Sequence, residues 1–268
     1  MKGGQDMPSE APIPYIVRLA DGNVLQLEYH EYLPSVSTVA KEYARKRYHD
    51  RYVVFAERTD SDTEGGIYMS VILHPSIFPS QAVFVGPAAA AATANALQEH
   101  TAKDVGIGWI SDIYCDCERL GTISVEGKLD NFTSYEYLIV NFRLPLEKDK
   151  FPPRLTDMIR KVFESESDSI FLIIAKNILG KFFSLYTDIK SPQKIMNSYK
   201  NLFIQRGLRI KCTLGENRRA ICKVLGVDNS NCALIVEERG GKLSHITTPA
   251  KVMLPKKITK NALFGIRR

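Results

Sequence analysis

Residues 105–127 read VGIGWISDIYCDCERLGTISVEG, and the pattern of this stretch decides the fold. Ile107–Trp109 is a short apolar run that stops at Ser111-Asp112, residue types whose side chains bond their own backbone and favour turns. Leu120–Val125 alternates Leu, Ile and Val with Gly, Thr and Ser, the period of a half-buried strand. The stretch therefore predicts strand, turn, strand. The chain's single Trp heads this unit, and Asp112 and Arg119 flank its turn.

Working outward, Gly86-Pro87 followed by AAAAATANALQEHTAKD predicts a long helix, because Pro suits a first helical position and Ala has the highest helix propensity. So many alanines also allow close packing against a sheet. Arg51–Glu57 and Ser134–Phe142 read as strands, and Ile67–Leu73 as another. Tyr15–Leu27 and Glu28–Tyr32 read as strands with a tight-turn signal at Ala20-Asp21-Gly22. A helix is expected over Val39–His49, capped by Ser35 or Ser37. Pro152–Glu164 and Ile170–Tyr186 predict two amphipathic helices, and Ser191-Pro192 opens a third that runs toward Gln205 and stops at Gly207. From Leu208 the texture changes to short strands, LRIKCTL, RAICKVLGV, CALIVEE and LSHITT, which suggest a small barrel.

Composition narrows the function classes. At 44% hydrophobic and 25% charged, the 268 residues are ordinary globular material. No run of eighteen apolar residues offers a membrane span, and MKGGQDMPSEAPIP has no apolar core of a signal peptide. A cytoplasmic protein with no membrane partner is expected. The formal charge is +6, but residues 251–268 hold six of the 36 bases and no acid, leaving 30 bases against 30 acids elsewhere. The body is neutral and the tail basic, a solvated terminus on the plain reading and a contact for nucleic acid or acidic lipid on the other. Five cysteines, Cys115, Cys117, Cys212, Cys222 and Cys232, make neither a disulfide framework nor a zinc set at this spacing.

At WISDIYCDCERLGTISVE the chain resembles the biotin protein ligases, which carry a Lys-Trp-Pro-Asn-Asp turn followed by a Lys-x-x-Gly-Ile-Leu-x-Glu strand. Trp109, Asp112 and Glu126 match that pattern. Gly108 stands in the place of the first lysine, Arg119 in that of the catalytic lysine, and Thr122 in that of a glycine close to biotin. The family's Ser-Thr-Asn, whose hydroxyls hold biotin, is matched by Ser37 and Thr38 but not by Val39. Its Gly-x-Gly-x-Asn, near nucleotide and metal, is replaced by Ile139 through Arg143. Its Gly- and Arg-rich phosphate loop is missing: ten residues separate Glu57 from Tyr68, and they hold Asp60, Asp62 and Glu64 with one Arg.

The resemblance implies an α+β fold, a class II synthetase-like mixed sheet with flanking helices followed by an SH3-like barrel. It divides the chain into a lead-in (1–14), a ligase-like domain (15–206), the barrel (207–257) and a basic tail (258–268). It implies Arg119 as the catalytic cation, with Ser37, Thr38, Trp109, Asp112 and Thr122 about the ligand. ATP, magnesium and biotin are cofactors only if the family's activity is retained. A biotin carrier domain is the implied partner, pairing of two copies is a further expectation, and a DNA-binding helix-turn-helix has no room. Because the loop, both lysines and the glycine motif are altered together, a degenerate ligase that binds a ligand or carrier is expected ahead of an active enzyme or an oligomeric scaffold.

Overall fold

The computed structural model describes residues 13–18, 22, 24–62, 65–101, 103–130, 134–146, 169–215 and 218–253. In chain order the elements begin with β1 (Ile13–Arg18), β2 (Val24–Tyr32), α1 (Val36–Arg45), β3 (Tyr52–Arg58) and β4 (Gly66–Leu73). A single turn, α2 (Pro79–Ala82), precedes α3 (Val85–His100). Then come β5 (Val105–Gly108), β6 (Asp112–Cys115), β7 (Glu118–Asp130) and β8 (Ser134–Pro145). Helices α4 (Ile170–Tyr186) and α5 (Gln193–Leu202) follow. The chain closes with β9 (Arg209–Leu214), β10 (Arg218–Val227), β11 (Leu234–Glu237), β12 (Leu243–Ile246) and β13 (Val252–Met253).

The first eight strands form one mixed sheet in the order β1-β2-β3-β4-β8-β7-β6-β5. Its parallel pair is β2–β3, and α1 supplies the crossover such a pair needs. One face carries Leu27, Phe55, Met69, Val140 and Phe142 into the main core beneath α3 and α4. Helix α3 is buried on all sides, with Ala88–Ala92, Ala94 and Ala96 inside. Methyl-sized side chains let it lie against the sheet while α4 covers it with Leu172, Ile178 and Phe182. The opposite face receives α1, whose Val36, Ala40 and Ala44 recur at helical spacing against Val54, Ala56, Ile72 and Ile139.

The last five strands form a curled antiparallel sheet in the order β12-β11-β10-β9-β13. The α+β architecture with a terminal barrel-like sheet agrees with the sequence reading. Its inner face, Ile210, Cys212, Val224, Leu234 and Val236, joins the same apolar core as the large sheet. Among the described residues no helix is long and apolar enough to cross a membrane.

Three expectations need correction. Residues 105–127 make three strands: β5 pairs β6, and β6 pairs β7. The second hairpin turns on Asp116 and Cys117, both at positive φ (47° and 71°). Two-residue hairpins need that conformation and usually signal it with glycine, so Asp-Cys hid the turn. The helix after Ser191-Pro192 ends at Leu202, short of Gln205, because the next residues leave it to meet β5: Phe203 bridges Ile107, and the Ile204 N–H donates to the Ile107 carbonyl at 3.0 Å. Gly207, at φ +84°, serves the turn into β9. The first strand starts at Ile13 and not at Tyr15. The helix expected over Pro152–Glu164 lies outside the described residues.

Trp109 joins these parts. Its backbone N–H donates to Gln205 Oε1 (2.9 Å), and its indole Nε1 donates to the Cys232 carbonyl (2.8 Å) in the turn between β10 and β11. The next residue, Ile110, accepts from the Tyr199 hydroxyl of α5 at 3.0 Å. Trp109→Phe keeps most of the apolar bulk but leaves the buried Cys232 carbonyl unpaired. We expect a loss of about 1–3 kcal/mol in urea unfolding with the same m-value. An unchanged midpoint would show that this bond does not hold the second sheet.

Candidate functional site

The polar side chains of the α1 face come from strands whose other positions are apolar. Strand alternation puts Tyr68 and Ser70 of β4, Asn141 and Arg143 of β8, and Thr122, Ser124 and Glu126 of β7 on that face. Register sets them in rows: Tyr68 lies opposite Arg143 and Arg143 opposite Thr122, while Ser70 lies opposite Asn141 and Asn141 opposite Ser124. The first turn of α1 overhangs these rows, and an open cleft of about 300 Å³ remains between them. Ser35, Ser37, Thr59 and Ser61 complete its wall.

A chain of bonds ties the elements of the cleft. Ser70 Oγ donates to Asn141 Oδ1 (2.6 Å), and Asn141 Nδ2 donates to Glu126 Oε1 (2.9 Å). Lys41 Nζ of α1 pairs with Glu126 Oε2 at 2.8 Å. Glu126 is thus held from two sides, by the Asn141 amide and by the Lys41 charge. The Tyr68 hydroxyl is buried and makes no hydrogen bond of ordinary geometry among the described residues. Burial, with Asp62 near by, pushes its pKa upward and keeps it a donor.

Each residue singled out from sequence has a definite place. Ser37 and Thr122 line the same cleft. Thr38 is exposed and turns its hydroxyl to Ser35 Oγ at 3.0 Å, so it belongs to the helix cap. The cap itself is Ser35, which accepts from the Thr38 N–H. Trp109 is 2% exposed and borders a second, larger cleft of about 780 Å³. That cleft runs along β7 between α2 and Pro249, and Thr122, Ser124 and Glu126 border both clefts. Arg119 and Asp112 are brought together: a guanidinium nitrogen lies 2.9 Å from Asp112 Oδ1.

Beyond Ile123, no strand among the described residues lies on the β6 side of β7. The Ile123 N–H still donates to the Ser111 carbonyl at 3.0 Å, and the Ser111 hydroxyl donates to the Ile123 carbonyl at 2.7 Å. Strand alternation turns the N–H and C=O of Val125 and Gly127 to the same side, where no described strand meets them. Their open edge faces the larger cleft.

Sequence reasoning missed Tyr68, Ser70 and Lys41, and met Asn141 and Arg143 only as letters of an altered motif. The signal was present as polar residues spaced by two inside apolar strands, IYMSVIL and LIVNFR. Among the described residues no group of three or more His, Cys, Asp or Glu is placed to hold a metal ion. The donors of the cleft fit ligand oxygen atoms, with hydroxyls and Arg143 as the groups that would meet them.

With this geometry, the fold is that of the biotin/lipoate protein ligases. The chain is similar to the crystal structure of biotin protein ligase from Aquifex aeolicus, with a TM-score of 0.63 at 16% identity over 85% of this chain and 97% of that one. The same enzyme in complex with biotin and ATP gives 0.60 at 17% identity, covering 83% and 95%. A biotin protein ligase-like protein of unknown function from Silicibacter gives 0.58 at 16%, covering 82% and 93%. No family model matches the sequence, and no curated protein matches it.

Asp112 offers a test of the site's electrostatics. Burial raises its pKa, and Arg119, then Thr122, oppose the rise. In Arg119→Ala the burial is left less opposed, so the Asp112 carboxyl should titrate at higher pH than in the parent, followed by carboxyl ¹³C shifts. An acid whose folded pKa exceeds its unfolded value stabilises the fold below the unfolded pKa and loses that contribution as pH rises through the folded one. The variant should therefore lose more stability than the parent between acid and neutral pH. A carboxyl that titrates no higher in the variant would contradict the assigned pair.

Proposed function

We propose that the chain is a biotin protein ligase-like protein degenerate in adenylate formation. Residues 15–206 hold a small ligand or the tip of a carrier domain, and residues 207–257 form the barrel beside them. The observation that carries this reading is the state of Arg119. Adenylate formation sends a carboxylate against a phosphate, and a fixed cation must stabilise the charge that builds there. Arg119 instead lies against Asp112, whose side chain is 14% exposed. Drawing Arg119 toward a phosphate would leave that carboxylate buried and unpaired.

Two neighbours support the same reading. A Cβ at Gly108, in the place of the family's first lysine, would meet Tyr114 at 2.6 Å and Gln205 at 2.8 Å. No side chain enters there unless both give way. The β3–β4 connection closes on itself through the Thr59–Asp62 bridge and sets Asp62 near Tyr68, where the family carries a phosphate-binding loop. The ligand this set favours is small and rich in acceptor oxygens, met by Ser37, Ser124, Tyr68 and Arg143. A carrier domain has a docking edge in Val125–Gly127, where an extended segment adds to the sheet through main-chain bonds; a second copy would pair by the same edge.

A second reading rests on Arg143. Among the described residues it makes no ion pair; it lies across from Thr122 and, with Arg119, also borders a third open cleft of about 480 Å³. A rebuilt active ligase for biotin or another carboxylic acid would use it as the cation, with ATP and magnesium as its other requirements.

The experiment is biotin-dependent exchange of pyrophosphate into ATP by the purified chain. We expect exchange well below that of a working ligase, since loss of one preorganised donor typically costs on the order of 10²–10³ in rate. Arg119→Lys should not restore it, because Gly108 and the β3–β4 turn are unchanged. Robust exchange that disappears in Arg119→Ala or Arg143→Ala would replace the degenerate reading with the active one.

A further inference from the structure

The second sheet buries one face and leaves the other to solvent. Along β10, Cys222 and Val224 point inward while Arg219, Ile221 and Lys223 point outward. Along β9, Arg209 and Lys211 share the outer face. Register sets Lys223 opposite Arg209 and Ile221 opposite Lys211, and β13 places Met253 on the other side of Lys211. Four cations thus enclose two apolar side chains that stand in water, Ile221 at 60% and Met253 at 71% exposed. The acid that register brings to this face is Glu237, opposite Lys223, and Leu243 beyond it is 56% exposed.

Neither half of this arrangement serves the fold. Like charges directly opposite on neighbouring strands destabilise a sheet, and Lys223 stands opposite Arg209, a cost that Glu237 on its other side offsets only in part. Among the described residues none of the four cations makes an ion pair. Exposed Ile and Met beside them gain nothing from water. Together the two features fit a partner that is anionic at its surface and apolar just below. Residues 254–268, which follow Met253, add five Lys or Arg and no acid, with leucine, isoleucine and phenylalanine among them. By sequence alone that tail reads as a solvated terminus; strand register gives β9, β10 and β13 a face of the same character.

We propose that the outer face of β9, β10 and β13 docks on an anionic lipid surface. Ile221 and Met253 enter the headgroup layer, while Arg209, Lys211, Arg219 and Lys223 lie over acidic headgroups. Nucleic acid fits less well. The outer positions of these three strands carry no aromatic ring on which a base would stack, and phosphates give Ile221 and Met253 no partner. The binding is peripheral and reversible, and it falls as salt screens the charges.

The test is cosedimentation of the full chain with vesicles of phosphatidylcholine and with vesicles of phosphatidylcholine mixed with phosphatidylserine. Partition is expected on the mixed vesicles alone. Each base near an anionic leaflet contributes about five-fold, so Lys211→Glu with Arg219→Glu should lower partition by roughly 25-fold or more. Ile221→Ser with Met253→Ser should lower it several-fold and leave the salt dependence unchanged. Trp109 emission, from a buried site on the other side of this sheet, reports that each variant is folded. No phosphatidylserine-dependent partition overturns the proposal, and so does an Ile221→Ser, Met253→Ser variant that partitions like the parent. Binding of a single-stranded oligonucleotide without binding to vesicles assigns the face to nucleic acid and overturns it as well.

Discussion

The turn at Trp109 is the constraint on which the rest of the structure depends. Three pieces of chain far apart in sequence meet it: α5 through Tyr199, the connector through Gln205, and the second sheet through the Cys232 carbonyl. All three bonds lie at buried or part-buried positions, where leaving either partner unpaired is more costly than the bond is stabilising. The large indole also fills the junction, so polar and apolar demands fix the same orientation. Once this turn is set, β5 and β6 are aligned, Ser111 bonds Ile123, and β7 is delivered to the cleft with Thr122, Ser124 and Glu126 on the α1 side.

That delivery also decides the chemistry of the site. The hairpin that positions β7 brings Arg119 to Asp112, and the pair satisfies a carboxylate that burial would otherwise penalise. An internal pair of this kind steadies the hairpin but removes a cation from ligand binding. The polar rows behave alike: Glu126 is held by Asn141 and Lys41, so its charge is spent within the fold. What stays open to a ligand is a set of hydroxyls and Arg143. The cleft therefore presents donors, with Arg143 the cation among them, while Arg119 is paired with Asp112 and Glu126 with Lys41.

Much of this was legible in the sequence where a single period dominates. The Ala-rich run is α3, and Ile170–Tyr186 is α4 to the residue, because long segments of high helix propensity leave few alternatives, and Ser169 caps the second of them. The shift to short strands after Gly207 also marked the second sheet. Other features were hidden for identifiable reasons. Asp116-Cys117 forms a turn that glycine would have announced. The last part of the expected helix before Gly207 was overridden by long-range pairing with Ile107, which no local propensity reports. The cleft itself is a property of register. Tyr68, Thr122 and Arg143 are neighbours only because three strands align, and Arg119 reads as free until its partner's position is known.

The packing at Gly108 bears on how such a protein could change. An added Cβ there collides with Tyr114 and with Gln205, and Gln205 is the residue that holds the Trp109 N–H. A lysine at this position is therefore not one mutational step away. It requires Tyr114 and Gln205 to shift or to be replaced, and moving Gln205 disturbs the bond that joins the two sheets at Trp109. The order of substitutions matters, and the early ones cost stability before any later one could place a cation there. Epistasis of this kind acts as a ratchet: space filled by structural contacts is reopened less readily than it was closed.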